Sequence, residues 1–157
     1  MYTEPPKSRN FLDNLHISRG DKMIFNTNKD KGRAGIALGI AYFGANGYTV
    51  NIPLNDTQWY DFIVEKDGIF QTVQCKATGS KDNTISLRSF GGTKGEEYDN
   101  ILKHKIDLLF CIDKEQNKYV IPVKDIISNG NTTSIVLRTE ENKNIKGFQT
   151  FCYLVEI

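Results

Sequence analysis

The sequence contains no apolar run approaching the roughly 20 residues a bilayer-spanning helix needs, so no membrane segment is expected. Its first residues, MYTEPPKSRNFLDNL, lack the apolar stretch of a secretory leader, which predicts a cytoplasmic protein. Cysteine is sparse. Cys75, Cys111 and Cys152 are an odd number without a CxxC pair, which argues against a disulfide framework or a zinc site. Each lies in an apolar or alternating segment, and three buried thiols are expected. The two histidines, His16 and His104, have no metal-ligand spacing and are expected at the surface. Neither sign of charge is in excess, with 20 Lys and Arg against 19 Asp and Glu. A basic nucleic-acid face therefore requires charge segregated in space rather than in sum. Internal repeats and low-complexity tracts are also missing.

What is present is an ordinary globular composition, 39% hydrophobic and 25% charged over 157 residues. That length suits one domain, which buries roughly two-thirds of its unfolded surface without staples. Residues 1–30 are polar and irregular and read as an N-terminal arm, with a short helix around residues 10–15. Residues 31–157 read as the folded domain. Within it, residues 33–45 (RAGIALGIAYFGA) predict a helix stopped by Asn46-Gly47, whose glycines imply close packing. Strands are predicted over 48–53, 59–64, 69–77 and 84–90, then 106–112, 118–123, 134–139 and 148–157. A single helical turn is expected at 124–128. The order gives an α+β fold, one domain with a mixed, mostly antiparallel β-sheet flanked by helices.

The hairpin YDFIVEKDGIFQTVQCKAT turns on Asp67-Gly68, the strongest short hairpin signal in the chain. With these two residues as the turn, Lys66 pairs with Ile69, and Asp61 stands opposite Gln74. Directly opposed side chains share a face with Cβ atoms about 5 Å apart, and Lys76 follows on that face two residues later. The other face holds Tyr60, Phe62, Val64, Val73 and Cys75, suited to packing on the helix. A carboxylate beside an amide oxygen and a main-chain carbonyl offers oxygen donors to a hard cation such as Mg²⁺. A neighbouring lysine can align or deprotonate a water and offset charge on a phosphoryl transition state. An Asp and a Lys in one hairpin are common, and from spacing alone a surface ion pair worth under about 1 kcal/mol is the favoured reading.

The stretch from Lys31 to Lys76, with KGRAGIALGIAYFGANGYTVNIP, YDFIVEKDG and VQCKAT, resembles the PD-(D/E)XK nuclease superfamily. The resemblance is greatest to the small branch that includes group I intron homing endonucleases, with Holliday-junction resolvases as more distant relatives. IDLLFCIDKEQNKYVIP resembles a later hairpin of that branch, extending the likeness to Val123. The resemblance implies a restriction-endonuclease-like core and a Mg²⁺-dependent endonuclease acting on double-stranded DNA, a homing endonuclease first among such labels. It places Asp61, Gln74 and Lys76 as catalytic residues. Asp61, the Cys75 carbonyl and the Gln74 side-chain oxygen are the implied metal ligands, and Lys76 is implied to position the attacking water. One departure stands out. The glutamate that family members carry on the first helix is replaced here by Ile36. Either the acid is dispensable, or Asp56 or Glu65 takes its place, or catalysis is impaired.

Lys31 and Arg33, near Lys29 at the helix start, and Arg88, Lys94, Lys103 and Lys105, around GGTKGEE, are the candidate DNA contacts. A solvated surface role accounts for the same charges. Tyr98 matches a tyrosine of the branch and also suits a core position, and Trp59 is expected to shield or edge the site. Cutting both strands needs two copies of a single site, which predicts a homodimer or homotetramer. Three alternatives compete. They are a DNA-binding module that keeps the fold but not hydrolysis, a resolvase-like nuclease for branched DNA, and a structural protein with no nucleic-acid role.

Overall fold

The structure, a computed structural model, describes residues 27–55, 57–88, 102, 105–130 and 133–156. Helix α1 (Asn28–Ala45) leads into β1 (Thr49–Asn51), β2 (Phe62–Lys66), β3 (Ile69–Ala77) and β4 (Thr84–Ser86). Strands β5 (Leu108–Ile112) and β6 (Lys118–Pro122) follow, then α2 (Val123–Ser128) and β7 (Ser134–Val136). A 3-10 turn (Thr150–Tyr153) and β8 (Leu154–Val155) close the chain. Six strands form one sheet in the order β1-β2-β3-β5-β6-β8, while β4 and β7 make a separate ribbon. All pairs in the main sheet are antiparallel except β3 with β5. This is the expected α+β arrangement.

Helix α1 starts five residues before the sequence pattern suggested, because Thr27 caps it. Its side-chain oxygen accepts from the Asp30 amide at 3.1 Å and its hydroxyl donates to the Asp30 carboxylate at 2.8 Å. The helix buries Gly35, Gly39 and Phe43, four residues apart and thus on one face. A Cβ at Gly39 would lie 3.1 Å from both Cys75 Sγ and Phe62 Cζ, so glycine is what lets helix and sheet meet. Phe43, Phe62, Val64, Val73, Leu108, Phe110 and Ile112 form the apolar layer between them.

The far face of the sheet is covered too. Leu109, Cys111, Tyr119 and Ile121 pack there with Ile85, Leu87, Ile126, Ile135 and Leu137 from the ribbon and α2. Strand β5, LLFCI, is buried at every position, as expected of a central strand walled on both sides. No helix among the described residues is long and apolar enough to cross a membrane.

Three local expectations need correction. Strand character over residues 148–157 shrinks to two residues. The buried Thr150 donates to the Val136 carbonyl and accepts from the Arg138 amide, both at 2.9 Å, and the chain turns there. That turn leaves Cys152 exposed, so only Cys111 is fully buried and Cys75 is half-buried. The helix read at 124–128 includes Val123 and caps β6 directly. The short helix expected around residues 10–15 lies outside the described residues, as do His16, His104 and Tyr98.

Candidate active site at a split strand edge

The site begins at the β2–β3 turn. Asp67 and Gly68 both adopt positive φ (54° and 79°), the requirement of a two-residue type I′ hairpin turn. Lys66 pairs with Ile69 and Phe62 with Val73, which is the register read from the sequence. Pairing then stops. Strand β3 continues alone on that side to Ala77, while still paired with β5 as far as Ile112. The chain before Phe62 peels away, and the Asp61 amide donates to the Val73 carbonyl at 2.9 Å instead of advancing the ladder.

The split leaves the peptide groups of Cys75 without a strand partner, and side chains take that place. The Cys75 amide donates to Asp61 Oδ2 at 2.6 Å. The Gln74 Nε2 donates to the same oxygen at 2.8 Å and to the Cys75 carbonyl at 3.3 Å. Asp61, Gln74 and the Cys75 carbonyl therefore converge on one point of the open edge. Lys76 stands next along β3, beside Cys111 of β5. Burial raises the Asp61 pKa above its ordinary value, against the lowering effects of the Cys75 amide and Lys76. Burial also lowers the Lys76 pKa, against Cys111 and Asp61, which raise it. Both groups are pushed toward neutrality, as expected where a desolvated site awaits a further charge.

One carboxylate, one amide and one main-chain carbonyl form an oxygen donor set that suits a hard divalent cation. Asp61 and Cys75 already present their oxygens. Gln74 presents its amide nitrogen to both, so its oxygen reaches the same point by a half-turn of the amide. Among the described residues no three His, Cys, Asp or Glu side chains cluster as a metal site. The fit rests on the amide and the backbone.

The remaining candidates separate. Lys31 lines a cleft of about 420 Å³ beside the site, together with Asn28 and Gly32 of α1, residues 74–78, and Thr84 to Ser86 of β4. Arg33 is exposed on α1 away from that cleft, and Arg88 is exposed just past β4. Lys105 is exposed, and its carbonyl accepts from the Thr72 hydroxyl at 2.9 Å. Lys94, Lys103 and Asp56 lie outside the described residues. Ile36 packs into the apolar layer under α1 and contributes nothing to the cleft. Glu65 does not replace the missing acid, because its carboxylate accepts from the Gly68 amide at 2.7 Å at the far end of the hairpin. Trp59 packs at the edge of the second core, on the side of the sheet that holds Cys111. Asn28, Thr84 and Ser86 were not singled out by sequence, since only the tertiary approach of α1 and β4 brings them to the cleft.

Comparison with solved structures finds the bacterial homing endonuclease I-Ssp6803I at a TM-score of 0.58 and 24% sequence identity. The match covers 82% of this chain and 87% of that one, and it supports the fold. No characterised protein sequence matches the chain. The sequence profile of the PD-(D/E)XK endonucleases matches residues 26–153, spanning α1, the split hairpin and the later strands. The chain belongs to the PD-(D/E)XK endonuclease family.

Proposed function

We propose that this endonuclease is Mg²⁺-dependent and hydrolyses phosphodiester bonds of double-stranded DNA, with Asp61, Gln74 and Lys76 as its catalytic residues. The observation that carries the reading is the open β3 edge, where Asp61 Oδ2 and the Cys75 carbonyl are bridged by a single amide nitrogen. Asp61, the Cys75 carbonyl and the Gln74 oxygen would hold the ion, which supplies Lewis-acid polarisation of the scissile phosphate. Lys76 Nζ holds the attacking water and accepts its proton, a task favoured by the burial that lowers its pKa. The water oxygen bonds to phosphorus, one bond from phosphorus to a deoxyribose oxygen breaks, and the leaving oxygen takes a proton from solvent. Arg33, Arg88, Lys94, Lys103 and Lys105 are proposed phosphate or groove contacts, and Lys31 another.

A homodimer or homotetramer follows from the need to cut two strands with one site per chain. A homing role is the leading label within this class, since I-Ssp6803I is a homing endonuclease. Three unpaired thiols fit a cytoplasmic site of action.

The second reading, a DNA-binding module without hydrolysis, is favoured by Ile36 alone, because the helix brings an apolar side chain to the core where the branch has an acid. Supercoiled plasmid incubated with Mg²⁺ separates the two. Hydrolysis predicts linear product from the wild type and at least a roughly 10²-fold loss in Asp61→Ala and Lys76→Ala. Plasmid that is bound but never cut, with binding indifferent to both substitutions, supports the module instead.

A further inference from the structure

The cleft beside the Cys75 edge is lined by two lysines, Lys31 and Lys76, and by no carboxylate among the described residues. Lys31 reaches it from the first turn of α1 and extends toward the turn after β3. A Cβ on Gly79 would lie 2.9 Å from Lys31 Nζ and 3.3 Å from its Cε. Gly79 does not have a positive φ, so its backbone needs no glycine. What glycine provides there is room for the Lys31 side chain.

Among the described residues the one ion pair joins Lys114 and Glu115, and no acid lies within ion-pair reach of Lys31. Lys31, half-buried and without a counter-ion among the described residues, shares its cleft with the lysine proposed to react and is placed for an anion brought by the substrate. The donor count points the same way. Among the described residues Asp61 is the one carboxylate at the split edge, and no three His, Cys, Asp or Glu side chains gather there. Two-metal nucleases clamp the attacking and leaving oxygens between paired cations. Here the described residues offer no second carboxylate at the split edge to hold such a pair.

We propose that Lys31 fills the electrostatic place of that second cation. Its ammonium grips a DNA phosphate in the cleft, and the centre holds one divalent ion per chain. The proposal rests on the nuclease reading above and adds the substrate contact and the ion count. Lys31 is a binding and positioning residue, and proton transfer stays with Lys76.

The test is the affinity of a random-sequence DNA duplex, followed by fluorescence anisotropy in EDTA between about 50 and 200 mM KCl. Wild-type binding that weakens with salt is expected. Lys31→Ala should weaken it about tenfold at the low-salt end and reduce the slope of log affinity against log salt by about one. Lys31→Arg should restore both, and Gly79→Ala, whose new methyl displaces the ammonium, should fall between. Thermal stability of Lys31→Ala should match the wild type, since the Lys31 side chain makes no hydrogen bond or ion pair among the described residues. Titration with Mn²⁺, read by electron paramagnetic resonance, should count one tight ion per chain in both proteins. Wild-type binding with an unchanged slope in Lys31→Ala, or two tight Mn²⁺ ions per chain, overturns this proposal and leaves the nuclease reading standing. Failure of the wild type to bind DNA at all removes both.

Discussion

Asp61 holds a carboxylate where burial opposes its charge, and the surrounding groups offset that only in part. Its pKa in the folded chain is raised above the unfolded value, so the folded state binds its proton more readily. Stability from that proton is fully present below the unfolded pKa and is lost as pH rises through the raised folded one. Asp61→Asn keeps acceptors for the Cys75 and Gln74 donors and removes the charge. In ion-free buffer its melting temperature should therefore rise relative to wild type as pH goes from about 4 to about 7, by roughly 2 °C or more at the upper end. Millimolar Mg²⁺ should stabilise the wild type and leave the Asn variant unmoved. A melting difference flat with pH would show that the carboxylate is not desolvated. The thiols make a second residue-scale case. Burial and Asp61 push the Cys75 thiol up, burial pushes Cys111 to about 12, and Cys152 is exposed. Under native conditions a thiol reagent near pH 8 should modify one cysteine per chain quickly and the other two only after unfolding.

At the scale of elements, the hairpin was the part most legible in the sequence, because its signal is local. Asp67-Gly68 dictates a two-residue turn, the turn dictates the register, and the register brings Asp61, Gln74 and Lys76 near one another. What the pattern did not contain is the end of the ladder at Phe62. Residues 59–61 look like more strand, yet the Asp61 amide bonds to the Val73 carbonyl and the chain departs. That departure opens the Cys75 peptide, so the geometry proposed for the metal depends on a feature with no local signature. Helix α1 was legible in kind and not in extent, since its cap, Thr27, lies within the polar run NTNKDKG. The glycines of α1 divide by position. Gly44→Ala meets open space and should raise stability by about 0.5–1 kcal/mol. Gly39→Ala crowds Cys75 Sγ and two phenylalanine rings and should lower it by about 1–2 kcal/mol net of the helix gain. Denaturant unfolding of the two variants checks the contrast, and equal effects would mean that α1 does not seat on the sheet through Gly39.

At the scale of the whole molecule, the sheet is walled on both faces, and the one parallel contact among its described strands, β3 with β5, runs beside the candidate site. That pairing joins segments about 35 residues apart, and no periodicity in the sequence announces it. The cleft is likewise a tertiary product, made where the first turn of α1 and strand β4 close over the end of β3. Lys31 could be singled out from its place in a basic run, whereas Asn28, Thr84 and Ser86 could not. The split edge is thus a feature of the assembled sheet, and its chemistry is decided by whether a divalent ion binds there. The most direct measurement is anomalous diffraction from crystals soaked in Mn²⁺. A peak is predicted between the Asp61 carboxylate and the Cys75 carbonyl, with the Gln74 amide turned to present its oxygen, and no peak in Asp61→Ala. Saturating Mn²⁺ that leaves this edge empty, or the same peak surviving in Asp61→Ala, contradicts it.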